Sequence, residues 1–138
     1  MKKILVTRRL LKSNEERISK LWNAKLNSND KIYSKSELVK LSQDCDGILT
    51  SILDTIDEKV IIQLSDKTKI ISNFAVGFGN IDIEAAKKKN IVVTNTPDVL
   101  TDATAEIGIL LILGACRRVP EGIQGAKDCN WKWSADYL

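Results

Sequence analysis

A turn carrying two glycines, Gly77 and Gly79, follows an apolar run and precedes a helical pattern in the segment AVGFGNID at residues 75–82. Here the backbone itself could do chemistry. Glycine lacks a Cβ, so an anion can approach the main chain closely. The amides of Val76 and Gly77 can then both point at one carboxylate, as successive N–H groups do in anion-binding concavities. Such contacts fix a small organic acid without a charged side chain. The same glycines also suit a plain tight turn from strand to helix, and spacing alone leaves both readings open. A dinucleotide fingerprint is rejected. The pattern reads G-F-G-N-I-D, with Asp82 where a third glycine is needed for close helix–strand packing. The chain has no histidine, so the commonest general acid–base near neutral pH is missing.

That turn needs a frame, and the rest of the chain supplies one. Short apolar runs at residues 4–7, 24–27, 47–50, 69–73 and 91–94 read as strands. Helical patterns at 14–23, 36–42, 57–64 and 83–89 alternate with them. Ser13 is expected to cap the first helix, with Glu15 and Glu16 in its first turn and Ile18, Leu21 and Trp22 as its buried stripe. Strands alternating with helices argue for an α/β fold with a parallel sheet covered on both faces. Five strands fit the flavodoxin-like doubly wound order 2-1-3-4-5. Ligands of such sheets bind beyond the carboxyl ends of the strands, near the point where the order reverses. The lining loops are then Arg8 and Arg9, Ser51 with Ile52 and Leu53, and Ala75 with Val76 and Gly77.

The C-terminal stretch has a different character. Asp102 is expected to cap a long helix in which Ile107 and residues 109–113 wrap the whole circumference in apolar side chains. A helix apolar on every side must be covered on every side. A domain of about 100 residues cannot surround one added at its edge, so another domain or subunit is expected. Ile123, Ala126, Trp131 and Trp133 prolong the apolar character, and self-association through residues 105–133 is expected. The boundaries follow: residues 1–100 form one domain, and 101–138 hold a protruding helix and what comes after it.

Composition excludes several classes. Hydrophobic residues make up 43% and charged residues 28% of 138, with a net charge of +3. The basic residues are scattered, which argues against nucleic acid. The one dense cluster, Lys87 to Lys89, falls where a helix should end and complements its negative terminus. Cys45, Cys116 and Cys129 have no CxxC spacing, so neither a disulfide framework nor a metal site is expected, and a cytoplasmic setting fits. The apolar runs are too short for a signal peptide or a membrane span.

Residues 69–118 resemble the D-isomer-specific 2-hydroxyacid dehydrogenase family, above all its glyoxylate/hydroxypyruvate reductases. AVGFGNID resembles the family's substrate-loop motif A-V-G-x-D-N-I-D, and TPDVLTDATAE at 96–106 matches the segment joining its two domains without a gap. The resemblance implies that residues 1–100 are a substrate-binding domain whose Val76 and Gly77 amides hold the substrate carboxylate, and that 101–138 are an interdomain helix and the start of a nucleotide-binding domain that is otherwise absent. It implies a lining role for Ile52 and Leu53, where the family often has Leu-Ser; Ile52 keeps an apolar wall, and the polar contact expected at Leu53 is lost. It implies a dinucleotide contact for Thr104, although a threonine also suits the start of a helix. The implied reaction is reduction of a small 2-oxo acid, such as glyoxylate or hydroxypyruvate, to the D-2-hydroxy acid, with NAD or NADP as hydride carrier. The family's nucleotide-binding glycines and its catalytic arginine, glutamate and histidine lie beyond these residues. No catalytic residue, no tightly bound cofactor and no turnover are therefore expected of the chain alone, and a homodimer or larger oligomer is. Gly79 replaces the family's aspartate, which is expected to loosen the turn. The alternatives are a stand-alone carboxylate-binding or regulatory module, or a structural partner that dimerises through its apolar helix.

Overall fold

The computed structural model describes residues 1–129. In chain order the elements are β1 (Lys3–Val6), α1 (Lys12–Leu21), β2 (Asn23–Lys25), α2 (Lys35–Ser42), β3 (Gly47–Ser51), α3 (Glu58–Ile61), β4 (Ile70–Phe74), α4 (Ile83–Lys88), β5 (Val92–Thr94), α5 (Thr101–Cys116) and α6 (Val119–Lys127). They fall into two compact units, Met1–Val99 and a second that begins at Leu100. In the first unit the strands form one parallel sheet of order β2-β1-β3-β4-β5, the flavodoxin-like order expected from the alternation.

Crossover handedness decides how the helices are shared between the two faces. Parallel crossovers are right-handed, so the face a helix takes depends on the direction in which its crossover moves along the sheet. Three crossovers run toward β5, and they put α2, α3 and α4 on one face. Only the β1-to-β2 crossover runs the other way, which makes α1 the one helix that the first unit places on the opposite face. The covered face holds the core: Leu5, Ile48 and Ile71 of the strands pack with Leu38, Ile61 and Ala86 of the helices, all nearly inaccessible.

The opposite face departs from the sequence expectation of double coverage. Ile18 is only half-buried there, while Leu21 and Trp22 are 52% and 38% exposed. Within the first unit the stripe expected to be buried has no second helix to pack against. Ile18 and Trp22 instead line an open groove of about 460 Å³ with Ile4, Leu49 and Ile70. Further along the same face Val92 is 59% exposed.

The caps follow the chemistry of helix ends, with two corrections. Ser34 and Glu37 form a reciprocal capping box on α2, and Asp57 caps α3 by accepting from the Val60 amide. Asp82 caps α4, its carboxylate accepting from the Ala85 amide at 2.9 Å. Lys87 and Lys88 occupy the last turn of that helix. Ser13, however, lies inside α1, whose cap position is Leu11 and has no side-chain bond. Glu15 stabilises that end instead, accepting from the Leu10 amide at 2.9 Å. Asp102 likewise sits in the first turn of α5, behind a Leu100 cap position without a side-chain bond.

The second unit, as far as residue 129, is the helix pair α5 and α6. Arg118, in left-handed backbone at φ 52°, separates them, and Pro120 falls in the first turn of α6, where no amide donor is required. No residue of α5 is buried: Ile107 is 55% exposed and Leu110 62%. Trp131 and Trp133 lie outside the described residues. Among the described residues no helix is long and apolar enough to cross a membrane, and no cluster of potential metal ligands occurs. The three cysteines are free, Cys45 buried and the other two exposed.

Candidate functional site

Beyond the carboxyl ends of β1, β3 and β4 the sheet ends in a row of buried polar side chains. Thr50 and Asn73 are register partners. Thr7 follows β1, and its amide donates to the Leu49 carbonyl. All three are at most 2% exposed. Asp54, buried beside them, accepts through Oδ2 from the Thr7 hydroxyl at 2.5 Å, the Thr50 hydroxyl at 2.8 Å and the Ser51 amide at 3.0 Å. These bonds tie the ends of β1 and β3 together at the point where the strand order reverses. Composition and motif reading passed over Asp54; the signal it left is a polar residue closing the apolar run of each of three adjacent strands.

The glycine turn is bolted to this platform. Asn73 Nδ2 donates to the Gly77 carbonyl at 2.8 Å and to Asn80 Oδ1 at 3.0 Å. Asn80 Nδ2 in turn reaches the carbonyls of Ser51 and Asp54, each at 3.0 Å. One asparagine pair thus joins the turn after β4 to the turn after β3. On the other flank the Ala75 carbonyl accepts from the Thr96 amide at 2.9 Å, and the Val76 carbonyl from Asn95 Nδ2 at 2.8 Å.

These bonds orient the donors that the sequence singled out. In a trans peptide the C=O and N–H of one unit point in opposite directions, and no peptide among the described residues is cis. The carbonyls of Ala75 and Val76 are both drawn toward residues 95 and 96, which follow β5. The N–H groups of Val76 and Gly77 therefore both face away from residues 95 and 96. Neither amide has an acceptor among the described residues. Ile52 lies next to Gly77: a Cβ built on that glycine would be 4.0 Å from its Cδ1. Val76 is 40% exposed and Ile52 53%, so the ledge is open.

Other residues fare differently. Leu53 is 57% exposed, and its amide donates to Ser51 Oγ at 3.3 Å. Arg8 pairs with Asp30 at 2.9 Å, and the Arg9 amide donates to the same carboxylate, so the β1 loop uses that acid to order itself. Thr104 belongs to the second unit, exposed in the first turns of α5 with its amide on the Leu100 carbonyl at 2.9 Å. No glycine has a positive φ, and a Cβ at Gly79 would touch nothing within 4 Å. The turn therefore makes no conformational demand for glycine, and the αR-αL form of an anion nest is not what aligns these amides; the tethered carbonyls are. The turn does not suit a dinucleotide either. It opens onto a six-residue helix whose N-terminus is already occupied by the Asp82 carboxylate, which would repel a pyrophosphate.

Comparison with known proteins agrees with this frame. Residues 4–126 match the family described as D-isomer specific 2-hydroxyacid dehydrogenase, catalytic domain. A glyoxylate reductase from Thermococcus litoralis is 36% identical over 132 residues, covering 96% of this chain and 40% of its own length. The TT0316 protein from Thermus thermophilus superposes with a TM-score of 0.80 at 34% identity, covering 96% of this chain and 43% of that one. An NADPH-dependent glyoxylate/hydroxypyruvate reductase from Sinorhizobium meliloti, in complex with NADP and malonate, superposes with a TM-score of 0.77 at 27% identity over 94% of this chain and 39% of its own. The chain thus spans about 40% of the length of the curated relatives it matches. With its sheet order, its glycine turn and a match running through nearly all of its length, the chain belongs to the D-isomer specific 2-hydroxyacid dehydrogenase family.

Proposed function

We propose that residues 1–100 form the substrate-holding part of an NAD(P)-dependent oxidoreductase that reduces a small 2-oxo acid, glyoxylate or hydroxypyruvate, to the D-2-hydroxy acid. The observation that carries this reading is the pair of amides at Val76 and Gly77, without an acceptor among the described residues and both turned away from residues 95 and 96. Two N–H donors side by side suit the two oxygens of one carboxylate, and charge assistance strengthens each bond. Ile52 supplies an apolar wall opposite Gly77, and Leu53 the rim next to it. The malonate named with the Sinorhizobium relative is a small carboxylic acid, in keeping with this chemistry.

The described residues do not by themselves suit NAD or NADP, since their only glycine turn ends in the capped helix α4. Thr104 is the one proposed cofactor contact, and the remaining contacts, like the acid–base groups, would come from a nucleotide-binding domain. On this reading the 138 residues bind and orient an acid but do not turn it over. The exposed apolar surface of α5 is the part we assign to covering by that domain or by a second copy of the chain.

Titrating glyoxylate into the ¹⁵N-labelled chain tests the proposal. The Val76 and Gly77 amide resonances should move first and furthest, with Ile52 following. A titration that leaves those two resonances still while others shift would overturn it.

A further inference from the structure

The two donors of the ledge are not held by equivalent means. The Val76 N–H is set by a main-chain bond, Thr96 N–H to the Ala75 carbonyl, which no side-chain substitution removes. The Gly77 N–H is set by a single side chain: Asn95 Nδ2 on the Val76 carbonyl at 2.8 Å. Without that bond the peptide between Val76 and Gly77 loses its tether on the β5 side. It is flanked by Gly77, the residue least able to restrain its own backbone, and the Val76–Gly77 unit becomes free to rotate its N–H out of the ledge. Asn73 holds the next carbonyl, that of Gly77, and so cannot restore the direction of the preceding one.

We infer that Asn95 is a positioning residue for the carboxylate ledge, aiming the Gly77 N–H through the Val76 carbonyl without touching the ligand. This rests on the proposed carboxylate-binding role of Val76 and Gly77. Its side chain is partly exposed and makes no other bond among the described residues, so its place in the fold does not explain it. The sequence hides the role well: Asn95 lies eighteen positions beyond Gly77, close to a proline, where asparagine ordinarily signals only a turn.

The test uses the whole 138-residue chain, labelled with ¹⁵N and ¹³C, with Asn95→Asp and Asn95→Ala beside it. Asn95→Asp keeps the shape but puts an acceptor against the Val76 carbonyl; Asn95→Ala removes the group. Both should bind glyoxylate about tenfold more weakly, the worth of one properly aimed donor. Both should shift the Gly77 ¹⁵N resonance before ligand is added, with little change in the urea unfolding midpoint. A structural role alone would move the midpoint and leave the ratio of Gly77 to Val76 ligand-induced shifts intact. Variants that bind like the parent with an unmoved Gly77 resonance would overturn the inference. So would the absence, in the parent, of a scalar coupling across the bond between Asn95 Nδ2 and the Val76 carbonyl carbon, which needs no variant to fold. A parent that fails to bind glyoxylate counts against the proposed function, while the coupling and the Gly77 shift still decide whether Asn95 sets the peptide.

Discussion

The two faces of the sheet are made from equally apolar strands and yet end in opposite states. Neighbouring residues on β4 make the contrast plain: Ile71 is 0% exposed beneath α2, α3 and α4, whereas Ile70, one position earlier and pointing the other way, is 38% exposed above the open groove. Strand composition cannot account for this, since both side chains are isoleucine. The direction of the crossovers does, by sending three helices to one side and a single helix to the other. An apolar sequence thus records that a surface must be covered, while topology decides whether this stretch of chain covers it.

The largest expected effect is a direct assay of that contrast. Ile71→Ala should cost about 2–5 kcal/mol in urea unfolding, from lost burial plus the cavity left among rigid neighbours. Ile70→Ala should cost less than about 1 kcal/mol, because its side chain is already partly in water. Equal losses at the two positions would mean that the groove is closed in solution. A mass consistent with a dimer in the same experiment would identify the cover.

Much of this was legible in the residues. The strand order followed from the alternation of apolar runs with helical patterns, and the glycines at 77 and 79 marked the turn that carries the proposed ledge, although the turn does not require glycine. The open face was not legible, because a non-alternating strand looks the same whether its cover lies in the same stretch of chain or elsewhere. Ser13 and Asp102 misled for a local reason. Both are good capping residues, but each helix starts one or two residues earlier, at positions preceded by a leucine, so the side chains fall in the first turn. The asparagines around the ledge went unseen because Asn80 and Asn95 act through carbonyls of residues far away in sequence, Ser51 and Asp54 for one and Val76 for the other. Only the fold brings those together.

A second uncovered apolar surface allows the comparison to be sharpened. On α5, Leu110 and Leu113 are 62% and 59% exposed, on a helix with no buried residue. If this surface is covered by another copy, light scattering should report a mass that rises with concentration. Leu110→Lys should lower that mass to the monomer's without moving the unfolding midpoint of the first unit. A parent that stays a compact monomer at high concentration would sink the self-association proposal.

Acid should loosen the open face before the covered one. Asp46 lines the groove and accepts from the Lys3 amide at 2.8 Å and from Lys2 Nζ at 2.9 Å. The backbone bond from Lys3, then the Lys2 ammonium, lower its pKa from 3.8 to about 2. A carboxyl lowered on folding adds stability that is complete above its unfolded value and disappears as pH falls through the folded one. Between about pH 4 and pH 2, amide protection, corrected for the intrinsic exchange rate at each pH, should therefore fall at the start of β1 and β3 before it does in α4. A uniform fall, or a fall in α4 first, would contradict the expected order.

The smallest effect asks how much give the open face has. A Cβ added at Gly47 would meet Ile70 Cγ2 at 2.8 Å, a distance that forces something to move. On a packed face such crowding costs about 1–3 kcal/mol, because rotamers have nowhere to go. Here the obstructing methyl belongs to a partly exposed side chain beside a groove, so a turn about its χ1 can relieve the clash. Gly47→Ala should therefore cost about 1 kcal/mol, the price of one unfavourable rotamer in a β-branched residue. Combining it with Ile70→Ala should remove that cost, giving a favourable coupling in a double-mutant cycle. If the double variant is no better than the sum of the single ones, the clash is being absorbed by the β3 and β4 backbones. The groove would then be as rigid as the face that three helices cover.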